Sequence, residues 1–426
     1  MNHAATIRAS VTRWGLYDWL GVVLGIAMPV IAALLYPTYM HRVSPGWAEW
    51  SRLLELPFVV CELAFVHVAV RAGYRDAALW QRLPRDVKAA FALLLVGLTV
   101  GSVLVSRKPF DSVLISLITL VHLRFCAAIW FFARAEPVAR IRTLFSWLTL
   151  GLVALAMLTT WRFQLPPPAA SVPGGVIELG SALPGFINVR HFGSWTGAIA
   201  AGLMLGLLYG DEGEDHRLAS VAYLLAAGLT CWSGTRAAIL AMVVVAAVAL
   251  VSLRRWPERA RLVHVAGLSA LALGLALPLL PDNPDFYLYA SGDAQDANMA
   301  TGGRLALWHA TFARWLDAPL FGWGSGSTFW EVFVGWTHTQ PHNAVLQFLI
   351  SWGVFGAAGA LWLLGRAIVA THRTGMDDAA LRPLTGMLYS LLFMSLLEGM
   401  LHYPRFIMMI AVGFAVLFAA REQRAG

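Results

Sequence analysis

The sequence is poor in charge: only 13% of its 426 residues are Asp, Glu, Lys or Arg, whereas 58% are hydrophobic. A soluble globular chain is about a quarter charged, so this composition excludes a water-soluble enzyme and indicates a polytopic membrane protein. Cysteine is also scarce, and Cys61, Cys126 and Cys231 all lie in apolar stretches. No disulfide framework and no cysteine-based metal spacing is present, and we predict three buried free thiols.

Apolar runs of the length that crosses a bilayer, about 20 residues, recur along the chain. We predict an all-α fold of one membrane-embedded domain, residues 1–426, with about twelve transmembrane helices. Their approximate positions are residues 15–36, 54–72, 89–106, 111–133, 143–161, 192–210, 218–233, 237–253, 262–280, 345–370, 383–400 and 405–421. The first run is too long for the apolar part of a signal peptide, and we predict that it stays as a signal anchor.

The basic residues indicate an orientation, because loops rich in Lys and Arg stay in the cytoplasm. With the N-terminus inside, the inner segments carry about twice as many Lys and Arg as the outer ones, including clusters at residues 71–88 and 254–261. We therefore predict that both termini are cytoplasmic. The formal net charge of +7 is mostly a topology signal, and nothing in it indicates a nucleic-acid partner.

The largest polar insertion, residues 281–344, is predicted to face outward between spans 9 and 10. Its stretch "GGRLALWHATFARWLDAP" predicts an amphipathic helix on the membrane surface, ended by Pro319. The apolar residues at helical spacing are Leu305, Trp308, Phe312, Trp315 and Leu316. The glycine-rich "FGWGSGS" that follows is interpreted as a flexible connector, with an anion-binding nest of backbone N–H groups as the alternative.

Charges inside predicted spans are costly and need a partner. Glu62 and Arg124 are predicted to lie in spans 2 and 4, at depths that the long arginine side chain bridges. We predict a structural ion pair that joins these two helices.

Four polar residues from separate segments are predicted to meet at the outer face. They are Arg190 before span 6, Arg236 between spans 7 and 8, Arg304 at the start of the surface helix, and His342 at the start of span 10. For one arginine alone, an interfacial anchor is the simpler interpretation. Together, guanidinium groups match phosphate oxygens bidentately, and the pyrophosphate of a lipid carrier would lie at this depth.

His342 suits a general base that deprotonates an attacking hydroxyl. Pro341 is favoured at the first helical position, which would place His342 in the first turn, where the helix dipole disfavours the imidazolium. His338 precedes the proline and is kept as a secondary candidate. Because the two histidines do not share a continuous helix, their spacing does not predict a metal site.

A known family resembles the chain at these residues. The pattern His, then Asn, Ser or Gln, nine residues, Gly, two residues, and Gly, Thr or Tyr is matched by His342-Asn343 and Gly353-Val354-Phe355-Gly356. Arg236 with Leu240 fits an Arg-x-x-x-Leu pattern, and Arg304 followed by "PLFGWGSG" looks like the loop signature. Over roughly residues 185–360 the chain resembles the O-antigen ligase family, within a group that also contains O-antigen polymerases.

The resemblance implies a metal-independent GT-C-type glycosyltransferase of the bacterial inner membrane that needs no cofactor. It would transfer O-antigen from undecaprenyl pyrophosphate to the lipid A-core acceptor at the periplasmic face, in lipopolysaccharide biosynthesis. His342 would be the base, and Arg236 and Arg304 would hold the pyrophosphate. Arg190 is added for its setting and matches no motif.

Other functions stay open at this point. An O-antigen polymerase would use the same donor, and a protein O-oligosaccharyltransferase usually has a longer chain with more mass outside the membrane. A transporter of lipid-linked glycans is the non-enzyme alternative, and it would place charges near mid-membrane. A metal-dependent transferase would need outer carboxylates, for which the loop offers Asp282, Asp285, Asp293 and Asp296.

The orientation generates the first prediction. A cysteine introduced as Gln295→Cys is expected to react with an impermeant thiol reagent in intact spheroplasts, because residues 281–344 are predicted to be periplasmic. Protection of this cysteine until the membrane is permeabilised would reverse the whole orientation.

Overall fold

A computed structural model describes residues 14–31, 34, 55–163, 186, 189–211, 216–279, 303–334 and 340–425, without the side chains of 161–163. Within these ranges all regular structure is helical. We label the α-helices α1 to α15 in chain order: Leu16–Gly21, Leu56–Arg71, Asp76–Arg82, Arg85–Val100, Pro109–Ala133, Ile141–Phe163, Val189–Tyr209, Arg217–Trp232, Arg236–Leu253, Arg259–Ala276, Arg304–Leu316, Thr328–Glu331, Ala344–Asp377, Arg382–Met394 and Pro404–Ala425. Turns of π-helix at Val22–Ala27 and Gly101–Val105 continue α1 and α4.

In the described part of the chain, eight helical segments are long and apolar enough to cross a membrane, or nine if α2 and α3, bent by 86°, form one span. The eight are Arg85–Val105, Pro109–Ala133, Val138–Thr160, Val189–Tyr209, Arg236–Leu253, Arg259–Leu279, Ala344–Asp377 and Pro404–Ala425. Shorter helices occupy the remaining predicted spans. The all-α polytopic membrane class is therefore confirmed, while the count of twelve crossings stays a prediction.

The centre of the bundle is α7, which packs against α8, α9 and α14. Of the residues in its apolar stretch, 94% are buried. Small residues allow the close approach, as is common between membrane helices. A Cβ on Gly202 of α7 would overlap the carbonyl oxygen of Pro383 in α14. By contrast, only 17% of the residues in the apolar stretch of α10 are buried, so this helix lies at the periphery with its apolar side chains outward.

α13, of 34 residues, breaks in its first third at Gly353, where φ is +62° and ψ is −168°. A break inside an apolar span frees backbone polar groups, and these must find partners within the protein. Residues after α11 supply them: the Val354 N–H donates to the Pro319 carbonyl at 2.8 Å, and the Trp323 N–H donates to the Ile350 carbonyl at 2.7 Å.

The glycine-rich segment 321–327 is therefore fixed against α13, and its predicted flexibility is wrong. Its successive N–H groups at Trp323, Gly324 and Ser325 donate to the Ile350 carbonyl, the Ser351 carbonyl and the Ser102 hydroxyl. An anion nest needs free N–H groups. Because these donors are already satisfied, the alternative interpretation as a nest is wrong as well.

The predicted amphipathic helix is confirmed as α11, which begins at Arg304 and ends at Leu316, before Pro319. Leu307 and Thr311 are buried against the rest of the protein. Three of the predicted apolar residues are exposed on the other side, namely Leu305, Phe312 and Leu316. An apolar face left open in this way suits a helix lying in the membrane interface, which stays a prediction.

The predicted ion pair between Glu62 and Arg124 is wrong. Glu62 contacts His122 Nδ1 at 2.6 Å, whereas Arg124 pairs with Asp76 at 2.7 Å. Residues two positions apart on a helix point roughly 200° apart, so only one of His122 and Arg124 can face Glu62. All three cysteines, Cys61, Cys126 and Cys231, are free thiols and are half-buried.

The break in α13 generates a prediction on stability. Gly353→Ala is expected to lower the melting temperature of the detergent-solubilised protein, because this combination of φ and ψ is essentially restricted to glycine and costs other residues about 1–3 kcal/mol. In addition, its Cβ would overlap the backbone of Leu320 and Phe321. The control is Gly365→Ala in the same helix, where a Cβ meets open space. That variant should melt at or above the wild-type temperature, and equal melting of both variants would contradict the role of Gly353.

Candidate active site

Four helices, α7, α9, α11 and α13, begin at one end of the bundle and bring the predicted polar residues with them. Arg190 is the second residue of α7, while Arg236 and Arg304 are the first residues of α9 and α11. His342 lies two residues before α13. The positive ends of four helix dipoles therefore point toward the same region.

Glu398, in the loop between α14 and α15, connects two of these residues. Its side chain is 3% exposed, accepts a hydrogen bond from Arg304 Nη2, and places Oε2 3.1 Å from His342 Nδ1. Glu398 is not among the site residues predicted from the sequence, because it lies in an apolar run, residues 383–400, that is predicted to be a span. The cost of a charge within a span, which drew attention to Glu62, was the signal that could have found it.

The charges in this region influence one another. Burial alone would raise the pKa of Glu398, but the hydrogen bond with His342 and the charges of Arg304, His342 and Arg190 lower it to about 2. Glu398 is therefore ionised at neutral pH. Burial lowers the pKa of Arg304, Glu398 raises it, and Arg190 and Arg236 lower it further. The three arginines, His342 and Glu398 thus form one electrostatic cluster, which we call the arginine–histidine cluster.

His342 does not lie in the first turn of α13, so the predicted placement is wrong. The N-cap is Asn343, whose Oδ1 accepts two backbone N–H bonds of the first turn at 3.0 and 3.1 Å. Asn is among the best N-caps, and this arrangement puts Pro341 and His342 outside the helix. His342 has a φ of +54°, which is uncommon for a residue other than glycine.

Neighbouring side chains hold the loop of His342 in this conformation. The buried Gln340 accepts the His342 N–H with Oε1 at 2.6 Å. Trp308 of α11 donates from Nε1 to the Pro341 carbonyl at 2.8 Å. The surface helix that carries Arg304 is therefore also tied to the loop that carries His342.

Two polar groups compete for Nδ1 of His342. Gln340 Nε2 lies 3.0 Å away and would donate to a bare nitrogen, whereas Glu398 at 3.1 Å needs a proton there. An ionised carboxylate only accepts hydrogen bonds, so a bare Nδ1 would place two acceptor atoms against each other at 3.1 Å. We therefore assign the proton to Nδ1, which leaves Nε2 of the ring as the acceptor.

Each matched position of the motif after the outer loop has a physical role. His342 carries the titratable ring, Asn343 caps α13, and Gly353 permits the break. Gly356 packs on Gly97 of α4 so closely that a Cβ on Gly97 would lie 2.5 Å from the Gly356 Cα. One of the four positions is thus chemical and three shape the backbone around it.

Some predicted residues are not placed. His338 and the four loop aspartates, Asp282, Asp285, Asp293 and Asp296, lie outside the described residues. Among the residues that are described, no group of three or more His, Cys, Asp or Glu is arranged to hold a metal ion. Arg304 Nε is buried there without a hydrogen-bond partner.

Comparison with known protein families matches residues 221–361 to the O-Antigen ligase family. The matched segment contains Arg236, Arg304 and His342, whereas Arg190 and Glu398 lie outside it. The comparison with curated proteins gives no match.

Proposed function

Because residues 221–361 match the O-antigen ligase family, we propose that the chain transfers O-antigen from undecaprenyl pyrophosphate to the lipid A-core acceptor. The match supports a membrane transferase of the ligase or polymerase type. The donor, the acceptor and the periplasmic side of the inner membrane belong to the proposal. The observation that carries it is the convergence of three arginines and four helix N-termini on His342.

The cluster suits a pyrophosphate. Arg190 and Arg304 act electrostatically on Glu398, and Arg190 and Arg236 act on Arg304, so an anion bound among these side chains would meet positive charge. Buried N–H groups without partners are rare in native proteins, and Arg304 Nε is one that a phosphate oxygen would satisfy. Helix N-termini add partial positive charge. The tail of a lipid carrier would lie along the apolar bundle while its head reaches this end.

His342 would act as the base. With its proton on Nδ1, Nε2 is free to accept the proton of an acceptor sugar hydroxyl. The hydroxyl oxygen then attacks the anomeric carbon of the donor glycan, and the bond from that carbon to the phosphate oxygen breaks. The electron pair leaves with undecaprenyl pyrophosphate, whose charge Arg190, Arg236 and Arg304 balance. We propose that these guanidinium groups stabilise the leaving group without a metal ion.

The transporter alternative is disfavoured by the way in which the broken helix is filled. In transporters, broken helices expose backbone groups to substrate near mid-membrane. Here the groups freed at Gly353 are taken by residues 319–324. The break thus serves packing, while the charges that would bind substrate collect at one end of the bundle.

A polymerase uses the same donor, and lipopolysaccharide gels from a deletion strain separate it from a ligase. Loss of the long-chain ladder with accumulation of lipid-linked polymer supports the ligase. Accumulation of single-repeat species would assign the chain to the polymerases instead. A protein acceptor in place of lipid A-core would indicate a protein O-oligosaccharyltransferase.

The arginine side chains generate the next prediction. Arg236→Lys and Arg304→Lys are expected to lose most of the ligation activity although the charge is kept. Lysine lacks the planar guanidinium group that can donate hydrogen bonds to two phosphate oxygens at once. Initial rates of purified protein with lipid-linked donor measure this, with excess chelator in a parallel reaction. Arg259→Lys is the matched control, since Arg259 also begins a helix but lies on the predicted cytoplasmic side. Wild-type rates for Arg236→Lys or Arg304→Lys would reduce that residue to an interfacial anchor.

The base generates the following prediction. His342→Ala should fold and still bind the donor, yet ligate at least about 100-fold more slowly, since a positioned base contributes 10²–10⁴-fold. Donor binding and ligation are measured on the same preparation. His338→Ala should lose much less, and His309→Ala, an exposed histidine on α11, should lose nothing. Full activity of His342→Ala beside an inactive His338→Ala would transfer the role to His338, and activity of both would exclude histidine base catalysis.

A further inference from the structure

Glu398 touches both kinds of residue that the proposed reaction uses. Its buried carboxylate accepts from Arg304 and faces Nδ1 of His342. We propose that Glu398 is a positioning residue, which holds the ring of His342 with Nε2 toward the acceptor and aims the guanidinium of Arg304 at the donor. This inference rests on the proposed function, since it assigns Glu398 through the roles given there to His342 and Arg304.

Hydrogen bonds to backbone carbonyls join the loop of Glu398 to the segment of His342, so the contact between the two residues is part of the fold. The Ala344 N–H donates to the Ser395 carbonyl at 2.8 Å, and Asn343 Nδ2 donates to the Leu396 carbonyl at 3.1 Å. A Cβ on Gly399 would lie 2.6 Å from Gln340 Nε2, which shows how closely the two segments pack. The same Asn343 that caps α13 thus also fixes the distance between Glu398 and His342.

Toward His342, the carboxylate selects one tautomer. A base is effective only if its bare nitrogen faces the proton that it accepts, and the partner of the other nitrogen decides this. With the proton of Nδ1 directed at Glu398, Nε2 points away from the buried loop. The negative charge also stabilises the imidazolium that forms when the proton arrives, as in other base–carboxylate pairs.

The carboxylate of Glu398 occupies one edge of the Arg304 guanidinium group. Nη2 of Arg304 donates to Glu398, while Nε is buried without a hydrogen-bond partner among the described residues. A guanidinium held at one edge has its remaining donors fixed in direction, so less freedom is lost when a phosphate binds. Glu398 therefore sets the relative position of leaving group and base.

A buried carboxylate next to arginine can also serve stability alone, and the chain offers a matched case. Glu331 is buried as deeply and pairs with Arg314, at the far end of the same helix α11, at 2.6 Å. It has no contact with His342 among the described residues. Glu331→Gln thus removes a comparable buried ion pair without touching the base.

The experiment compares Glu398→Gln, Glu398→Asp and Glu331→Gln in the ligation assay, with melting temperature as a folding check. Glu398→Gln is expected to lower kcat at least about tenfold and to raise KM for the donor, since it loosens both partners. Glu398→Asp should recover part of kcat because it keeps the charge. Glu331→Gln should lower the melting temperature while its kcat stays near wild type.

The pH profile of kcat reports on the base. Removing the negative charge makes the imidazolium less stable, so Glu398→Gln should move the acidic limb to lower pH, and Glu331→Gln should leave it unchanged. In the described part of the chain, the other charged or titratable groups that act on Glu398 from the surrounding elements are Arg190 and His191 of α7, Arg304 of α11, and His342. All of them are present in each variant, so the shift reports the carboxylate alone.

A double-mutant cycle separates this inference from the proposed function. If Glu398 acts through His342, then Glu398→Gln in the His342→Ala background should cause little further loss of kcat, while the rise in KM through Arg304 persists. Losses of kcat that multiply, or a wild-type acidic limb in Glu398→Gln, would overturn the positioning role. A fully active His342→Ala would instead overturn the part of the proposed function on which this inference rests, the role of His342 as the base.

Discussion

Inside a bilayer every backbone N–H and C=O must be satisfied by the protein, and the break of α13 at Gly353 is where this constraint shapes the molecule. The groups freed by the break bind residues 319–324, so this segment cannot lie anywhere else. Since the segment follows α11 directly, its attachment also fixes the end of that helix. The placement of Arg304 at the opposite end of α11 is thus a consequence of a backbone requirement deep in α13.

Charge is the second constraint, and it acts at the end of the bundle. The charges of Arg190 and Arg236 repel that of Arg304, and the burial of Arg304 raises the cost of this repulsion. Glu398 offsets part of it, which explains why a carboxylate is retained in a region that we propose to bind an anion. A pyrophosphate bound beside these guanidinium groups would offset the repulsion further.

The sequence predicted most of what depends on composition and period. Apolar runs located the helices, and the spacing of apolar residues predicted α11 within a few residues at both ends. The cluster was also anticipated, because topology alone brings Arg190, Arg236, Arg304 and His342 to one side. What failed depended on directions that a sequence does not give. The face of α5 that meets Glu62 decided whether His122 or Arg124 is its partner. The start of α13 was decided by Asn343, which caps the helix and leaves Pro341 outside it.

The position of His342 outside the helix changes the physical account of its role. A residue in the first turn would be influenced mainly by the helix dipole. The orientation of the His342 ring is instead set by its contacts with Glu398 and Gln340. Its positive φ costs on the order of 1 kcal/mol and persists only where surrounding contacts outweigh it. Those contacts come from the loop after α14, from α11 through Trp308, and from the cap of α13. Because all three must dock before the ring is oriented, the geometry of the base depends on the assembled bundle and cannot be read from its motif alone.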